Sequence, residues 1–392
     1  MSKAILPGIS VTVKPIQRMH TNVNDSFEKP GRSGRKLTGI EAGRGIAAIM
    51  VVLYHAARHI KADYGAMPWS GAAQFGHAGV DFFFVLSGFI IFYVHRQDFS
   101  RPAALAGYFE RRFIRIYPLF WVSLAVGTIL TLLSSKPMLL SAGELLQRMT
   151  LLPFGGDVGV AWTLQHEIIF YLIFALAVIN RVLGIAAFFA WFCIITVAAL
   201  NAYVPVDSPV LTRLVSVFNI QFFFGMFAAY VVRAGILKKY SVIAAAGTLM
   251  FFSIAAAENF SIFDGYSNQA KIAYGLSAML IVIGLAGANL AGHLNAPKFF
   301  TALGKASYSI YLLHIPSIGV IYKLLEVAGI RKFIPPDLLY FLLSVGSIII
   351  CMIVSKYIEY PLMNLFKRGT GSLRMTPRFK AATEYQEGRA IK

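Results

Sequence analysis

Residues 43–55 read GRGIAAIMVVLYH, an apolar run that carries one arginine and one histidine. This stretch predicts the first membrane-spanning helix. Eleven helical steps of about 100° bring His55 to within roughly 20° of Arg44, about 16 Å further along the axis. Because ionisable side chains inside a membrane cost several kcal/mol, they usually face the interior of a helix bundle and take part in function. We therefore expect a site to form around this helix face.

The composition excludes a soluble globular protein. The chain has 392 residues, of which 57% are hydrophobic and 14% charged, and its mean hydropathy is +0.65. Soluble domains average about 25% charged residues. Basic residues that flank apolar spans account for the net charge of +18, so nucleic-acid binding is not expected. Cys193 and Cys351 lie in apolar runs, which predicts buried thiols rather than a disulfide framework or a zinc site, and no metal is predicted.

Apolar runs long enough to cross ~30 Å of hydrocarbon recur along the chain. They predict an all-α, polytopic membrane helix bundle of about ten transmembrane helices, near 40–60, 78–95, 113–134, 161–180, 184–203, 215–232, 240–257, 270–290, 306–326 and 338–358. A count of nine or eleven spans is also possible, because 240–257 is short and Ala-rich and the first span contains Arg44. An orientation with both termini in the cytoplasm places roughly 25 Lys and Arg residues on the inner side and roughly 7 outside, as the positive-inside rule expects.

Both ends of the chain differ from its centre in composition. Residues 1–36 and 367–392 are polar and basic, which predicts two disordered cytoplasmic tails. Residues 37–366 are the predicted membrane domain. No secretory signal peptide is expected, because no short apolar core precedes a cleavage site near the N-terminus.

The second span begins GVDFFFVLSGF, residues 79–89. Asp81 is predicted a turn or so into the membrane, either as a partner of His55 or as a structural polar anchor. Gly79, Ser87 and Gly88 are small residues, which permit close helix contact. For Ser87 we favour this packing role over a role as a nucleophile.

Two arginines precede the third span, in RRFIRIYPLFW at 111–121. Arg112 and Arg115 are three residues apart and share a helix face. They predict either a cluster that contacts lipid headgroups or, with Arg44, an anion site suited to a phosphorylated donor, since arginine binds phosphate through two hydrogen bonds. Pro118 invites a kink or a half-helix, whose positive dipole end would strengthen such a site.

The fourth span carries adjacent ionisable residues, His166 and Glu167. Consecutive helical residues point about 100° apart, so only one of them is expected to face the bundle centre. We favour Glu167, whose carboxylate would orient and balance the His55 imidazole. An ion pair that ties two helices is the alternative.

The last two spans carry a histidine and a glutamate. His314 is predicted within the ninth span, where a structural histidine is the simpler interpretation, and Pro316 should interrupt the helix after it. The tenth span is predicted to end at Glu359-Tyr360-Pro361.

These residues together resemble the acyltransferase-3 family of bacterial integral-membrane O-acyltransferases, most of all its ExoZ-like branch. The resemblance runs from about residue 37 to 366. Its motifs occur in family order: Arg44 with His55, the 79–89 stretch, Arg112 and Arg115 before Tyr117-Pro118, Trp162-Thr163-Leu164 with Glu167 and Tyr171, and Ser307-Tyr308 with Tyr311-Leu312 and His314.

The resemblance implies transfer of an acyl group, usually acetyl from acetyl-CoA, to a hydroxyl of an exopolysaccharide or another cell-surface glycan at the bacterial inner membrane. Succinyl transfer also occurs in the family. A neutral imidazole has an unperturbed pKa near 6.5, so His55 would act as the general base. An acyl-His55 intermediate is a second route. Glu167 or Asp81 would stabilise the imidazolium, the three arginines would bind acyl-CoA, and Trp162, His314 and Tyr308 are candidates for binding the substrate.

Two other functions fit the composition. A transporter or flippase for a glycan or small solute would also need ionisable residues on several helices, although no internal repeat typical of transporters is visible. A non-catalytic scaffold in a polysaccharide biosynthesis complex is the third hypothesis.

Overall fold

The computed structural model describes residues 36–133, 141–152, 159–201, 203 and 208–369. Within these residues the secondary structure is helical, with no strand. The α-helices are α1 Thr38–Tyr64, α2 Gly79–His95, α3 Leu105–Leu132, α4 Ala142–Thr150, α5 Trp162–Ile179, α6 Arg181–Leu200, α7 Pro209–Leu214, α8 Ile220–Ala234, α9 Tyr240–Asn259, α10 Asn268–Ala291, α11 Lys298–Val327, α12 Pro336–Val354 and α13 Tyr360–Gly369.

Ten helical segments of the described chain are long and apolar enough to cross a membrane. Each overlaps one predicted span, so the ten-helix bundle is confirmed and the chain is a multi-pass membrane protein. Two spans each contain two α-helices: α7 and α8 lie in Pro209–Ala234, and α12 continues through a π-helical turn into α13. The short helix α4 lies between two spans.

The two prolines predicted to interrupt helices do not do so. Helix α3 runs unbroken past Pro118, and α11 runs unbroken past Pro316. The prediction of a half-helix beginning near Arg115 is therefore wrong, since the N-terminus of α3 lies at Leu105. A proline removes one backbone hydrogen bond, and membrane helices tolerate that loss where neighbouring helices and polar side chains satisfy the freed groups.

The predicted helix exit at Glu359-Tyr360-Pro361 is also wrong. A π-helical turn, Ser355–Glu359, follows α12 and leads directly into α13. Pro361 fits the first turn of α13, where its missing N–H would have had no helical partner. The π-helical turn carries Glu359 into the bundle interior, where it is buried.

Glycines bring α1 and α11 into backbone contact. A Cβ built on Gly304 would lie 1.8 Å from the carbonyl oxygen of Glu41, and one on Gly45 would lie 2.8 Å from the backbone nitrogen of Gly304. Only glycine permits this approach, which places the face of α1 that carries His55 directly against α11.

The small residues of α2 have the expected packing role at two positions. A Cβ on Gly88 would lie 2.2 Å from the carbonyl oxygen of Phe222, and one on Gly79 would lie 2.5 Å from that of Ala47. Helix α2 is thereby held against α8 on one side and α1 on the other.

The predicted tails lie almost entirely outside the described residues, because the description begins at Lys36 and ends at Gly369. Helix α13 extends to Gly369, past the predicted domain boundary at 366. The cytoplasmic location of both termini stays a prediction.

Candidate active site

Helices α1, α2, α3, α5 and α11 surround a cavity of about 110 Å³. Five of the residues predicted to bind substrate or donor or to take part in catalysis line it, namely Arg44, Arg112, Arg115, Glu167 and Tyr308. Its other polar lining residues are Ser87, Thr163, Tyr171, Ser307 and Tyr311. The fold thus gathers three guanidinium groups, one carboxylate and several hydroxyls from five separate helices.

Arg112 is the cation most deeply enclosed at this cavity. It is 5% exposed, and its guanidinium carbon lies 5.7 Å from the centroid of the Tyr171 ring. Among the described residues no hydrogen bond or ion pair joins it, and its Nε is buried without a partner. An arginine stays charged in proteins, and a buried charge is costly unless it is paired. The site therefore favours an anion from outside the chain.

Arg115 has a different environment. Its Nη1 donates a hydrogen bond of 3.0 Å to Oε1 of Glu359, and its guanidinium lies 4.8 Å from the centroid of the Tyr308 ring. The other oxygen of Glu359 accepts hydrogen bonds from Ser309 at 2.6 Å and Ser355 at 2.8 Å. The charge of Arg115 is thus balanced within the protein. Sequence reasoning missed Glu359, although a carboxylate at the end of an apolar run is itself a signal.

Glu167 faces the bundle interior, as expected. Its Oε1 accepts a hydrogen bond of 2.9 Å from the Ser87 hydroxyl and another from the Tyr171 hydroxyl. The adjacent His166 is buried in a different direction, where its Nδ1 donates to Oδ1 of Asn219 at 2.9 Å. Ser87 therefore donates a hydrogen bond to Glu167 in addition to the packing role expected for a small residue, and that packing role stays a prediction.

His55 and His314 form a pair beside the cavity. Their ring centroids lie 4.9 Å apart, with His55 half-buried and His314 fully buried. Neither ring is among the residues that line the cavity. Tyr311 lines the cavity, and its ring centroid lies 6.1 Å from that of His314, so this tyrosine lies next to both.

Two predicted site residues lie elsewhere. Asp81 is buried and accepts a hydrogen bond from the Gln221 side-chain amide, which also donates to the Lys271 carbonyl at 3.0 Å. This contact ties α2 to α8 and α10 and fits the structural anchor rather than the partner of His55. Trp162 packs against the Phe218 ring, 5.2 Å away between centroids, and does not line the cavity.

The hydroxyls around the cavity are held by their own contacts. Tyr308 donates to the Ile116 carbonyl at 2.7 Å, and the Tyr311 hydroxyl is 2.9 Å from that of Thr163. The Ser307 hydroxyl is buried without a hydrogen-bond partner in the described chain. The wall of the cavity is thus rigid, with a few polar groups left for a bound molecule.

Comparison with known proteins identifies the family of the chain independently of the site geometry. The family model described as Acyltransferase domain (Acyl_transf_3) matches residues 37–356. The exopolysaccharide production protein ExoZ of Rhizobium meliloti (strain 1021) is 27% identical over 260 residues, which cover 63% of this chain and 78% of that protein. Protein 2 in picA locus of Rhizobium radiobacter is 34% identical over 84 residues, 21% of this chain and 39% of that protein. No solved structure matches the chain.

The family match covers most of the chain and includes every residue that the sequence singled out around the cavity. The similarity to ExoZ supports the branch expected from the sequence motifs. The chain therefore belongs to the acyltransferase-3 family, as an acyltransferase of the ExoZ-like branch.

Proposed function

We propose that the protein transfers an acetyl group from acetyl-CoA to a hydroxyl of an exopolysaccharide or other cell-surface glycan, at the inner (plasma) membrane and with both termini in the cytoplasm. The family supports acyl transfer, and the similarity to a protein named for exopolysaccharide production supports the glycan acceptor. The observation that carries the proposal is the buried, unpartnered guanidinium of Arg112 in a cavity beside the His55–His314 pair.

Arg112 and Arg44 would bind the anionic part of the donor. Both line the cavity, and a guanidinium can donate two parallel hydrogen bonds to one phosphate. Arg115, already paired with Glu359, would not bind the donor directly. Drug-sized ligands occupy pockets of ~300–1,000 Å³. A cavity of about 110 Å³ takes only one end of coenzyme A, so the rest of the donor would extend outside it.

His55 would be the general base. As the acceptor hydroxyl oxygen attacks the thioester carbonyl, His55 takes the hydroxyl proton, the C–O bond forms and the C–S bond breaks. The proton then passes from the imidazolium to the departing thiolate, so ester and free thiol are the products. Because His55 does not line the cavity and Tyr311 lies next to both the cavity and His314, the acyl end would reach His55 past the Tyr311 ring.

Glu167 would orient groups in the cavity. With Oε1 occupied by Ser87 and Tyr171, its Oε2 is available to accept a hydrogen bond from the acceptor or the donor. Its negative charge also opposes the three cations, which keeps the cavity from holding anions too tightly to release them.

Mass spectrometry of surface glycans tests the proposal in cells that lack the gene and carry it back on a plasmid. Wild-type protein should add a mass of one acetyl group, and the His55→Ala variant should not. The matched control is His59→Ala, because His59 lies one turn further along α1 and contacts Tyr322 instead, with ring centroids 4.5 Å apart.

The control should restore acetylation to the wild-type level. Glycans of identical mass with and without wild-type protein would contradict the proposed reaction. Full acetylation by a stably inserted His55→Ala variant would contradict only the assignment of the base.

A further inference from the structure

We propose that His314 is a positioning residue for His55: its Nε2 accepts the imidazole N–H of His55 and so directs the other ring nitrogen of His55 toward the acceptor hydroxyl. The inference rests on the proposed function, in which His55 is the base. It assigns to a histidine of α11 the role that sequence reasoning expected from a carboxylate.

The surroundings of His314 determine where its proton lies. Nδ1 is 2.7 Å from the carbonyl oxygen of Tyr311 and 3.1 Å from that of Ile310. Carbonyl oxygens only accept hydrogen bonds, so Nδ1 must carry the hydrogen. In the neutral ring Nε2 then has a lone pair and no proton, which makes it an acceptor.

That acceptor has no partner among the described residues. His314 is fully buried, and its Nε2 is enclosed without a hydrogen bond. A buried polar atom without a hydrogen-bond partner is destabilising, so such an atom in a folded protein calls for an explanation. The adjacent ionisable ring is His55, whose centroid is 4.9 Å away.

The backbone holds the two rings in this relation. Helices α1 and α11 touch at Gly45 and Gly304, where no side chain would fit. The Ser347 hydroxyl donates to the His314 carbonyl at 3.3 Å, which secures α11 from the side of α12. The proposed hydrogen bond would form by rotation of the half-buried His55 ring toward Nε2 of His314.

A neutral acceptor suits this position. The carboxylates that sequence reasoning placed near His55 are engaged elsewhere, Asp81 with Gln221 and Glu167 with Ser87 and Tyr171. In hydrolase triads the group behind the catalytic histidine fixes its tautomer and stabilises the imidazolium. His314 performs the same task through a hydrogen bond and adds no charge to the membrane interior.

The test uses the full-length protein in detergent, with acetyl-CoA and a saccharide acceptor purified from the deletion strain. His314→Leu removes the acceptor, whereas His314→Gln keeps an amide oxygen near the position of Nε2. His314→Leu should lower kcat on the order of 100-fold, as general-base catalysis allows, and leave the KM for acetyl-CoA unchanged. His314→Gln should recover most of that loss.

A second readout does not depend on activity. In protein labelled with ¹⁵N-histidine, the His55 resonances should show a single neutral tautomer in the wild type and a mixture in His314→Leu. Mixed tautomers in the wild type would overturn the inference even if the acyl transfer reaction is correct.

The remaining outcomes distinguish the positioning role of His314 from the proposed acyltransferase function. A raised KM with unchanged kcat in His314→Leu would make His314 a substrate-binding residue and overturn the positioning role. A His314→Gln variant that unfolds at the wild-type temperature and is as slow as His314→Leu would also overturn it. Wild-type protein without acetyltransferase activity, but with a single His55 tautomer that His314→Leu disturbs, would refute the proposed function alone.

Discussion

Arg115 of α3 and Glu359 of the π-helical turn form a partly buried ion pair across the bundle, with Nη1 of the arginine 3.0 Å from Oε1 of the glutamate. The side chains are 18% and 1% exposed. This contact joins the last span to the third at Arg115, which lines the cavity. It also shows that two arginines with similar positions in the sequence have different environments, since Arg115 is paired and Arg112 is not.

Breaking this ion pair from one side should destabilise the bundle. Glu359→Gln leaves a buried guanidinium without its counter-charge, a change that costs about 3 kcal/mol in comparable pairs. Thermal unfolding in detergent should show a clearly lower midpoint. The double variant Arg115→Met with Glu359→Met should be closer to wild type, because no unpaired charge remains. A Glu359→Gln midpoint equal to that of wild type would show that the pair contributes nothing.

Arg112 should govern the affinity for the donor. Arg112→Lys keeps the charge but loses the planar fork, so the KM for acetyl-CoA should rise on the order of tenfold with a smaller change in kcat. Steady-state kinetics in detergent measure both constants. Arg111→Gln is the control and should keep the wild-type KM, because Arg111 precedes Arg112 on α3 but does not line the cavity. An unchanged KM in Arg112→Lys would remove Arg112 from the donor site.

Glu167 should affect the reaction rather than the fold. Glu167→Gln retains the size of the side chain and an acceptor for Ser87 but loses the charge, and we expect acyl transfer to fall on the order of 100-fold. Glu144→Gln is the control, because Glu144 is an exposed residue that caps α4 through Ser141. Rates of thiol release from acetyl-CoA compare the two variants. A Glu167→Gln rate within twofold of wild type would rule out the proposed role.

The contact between α1 and α11 should tolerate no methyl group at Gly304. A Cβ there would lie 1.8 Å from the Glu41 carbonyl oxygen, so Gly304→Ala must push the helices apart and separate His55 from His314. Overpacking of this kind costs about 1–3 kcal/mol, and activity should fall with stability. Gly319→Ala is the matched control on the same helix, with no atom within 4 Å of the added Cβ. Equal unfolding midpoints for the two variants would contradict the close approach.

Much of the architecture could be predicted from local properties of the chain. Hydropathy averaged over about 20 residues identified ten spans, because crossing the hydrocarbon layer requires that length. Helical periodicity placed Arg44 on the interior face and favoured Glu167 over His166 as the residue that faces the bundle centre. Arg44 and Glu167 both line the cavity. The predicted helix interruptions at Pro118 and Pro316 were wrong. That prediction considered only the lost backbone hydrogen bond and not the neighbouring helices that compensate for it.

By itself, then, the sequence determined the membrane fold, the family motifs and the residues that face the bundle interior, since hydropathy and helical period are properties of adjacent residues. Only the tertiary structure decided which charges are paired. Arg115 meets Glu359 across 244 residues of chain, Asp81 meets Gln221 instead of His55, and His314 meets His55. The physical reason is that the partner of a buried polar group depends on how distant helices pack, and a one-dimensional pattern does not contain that packing.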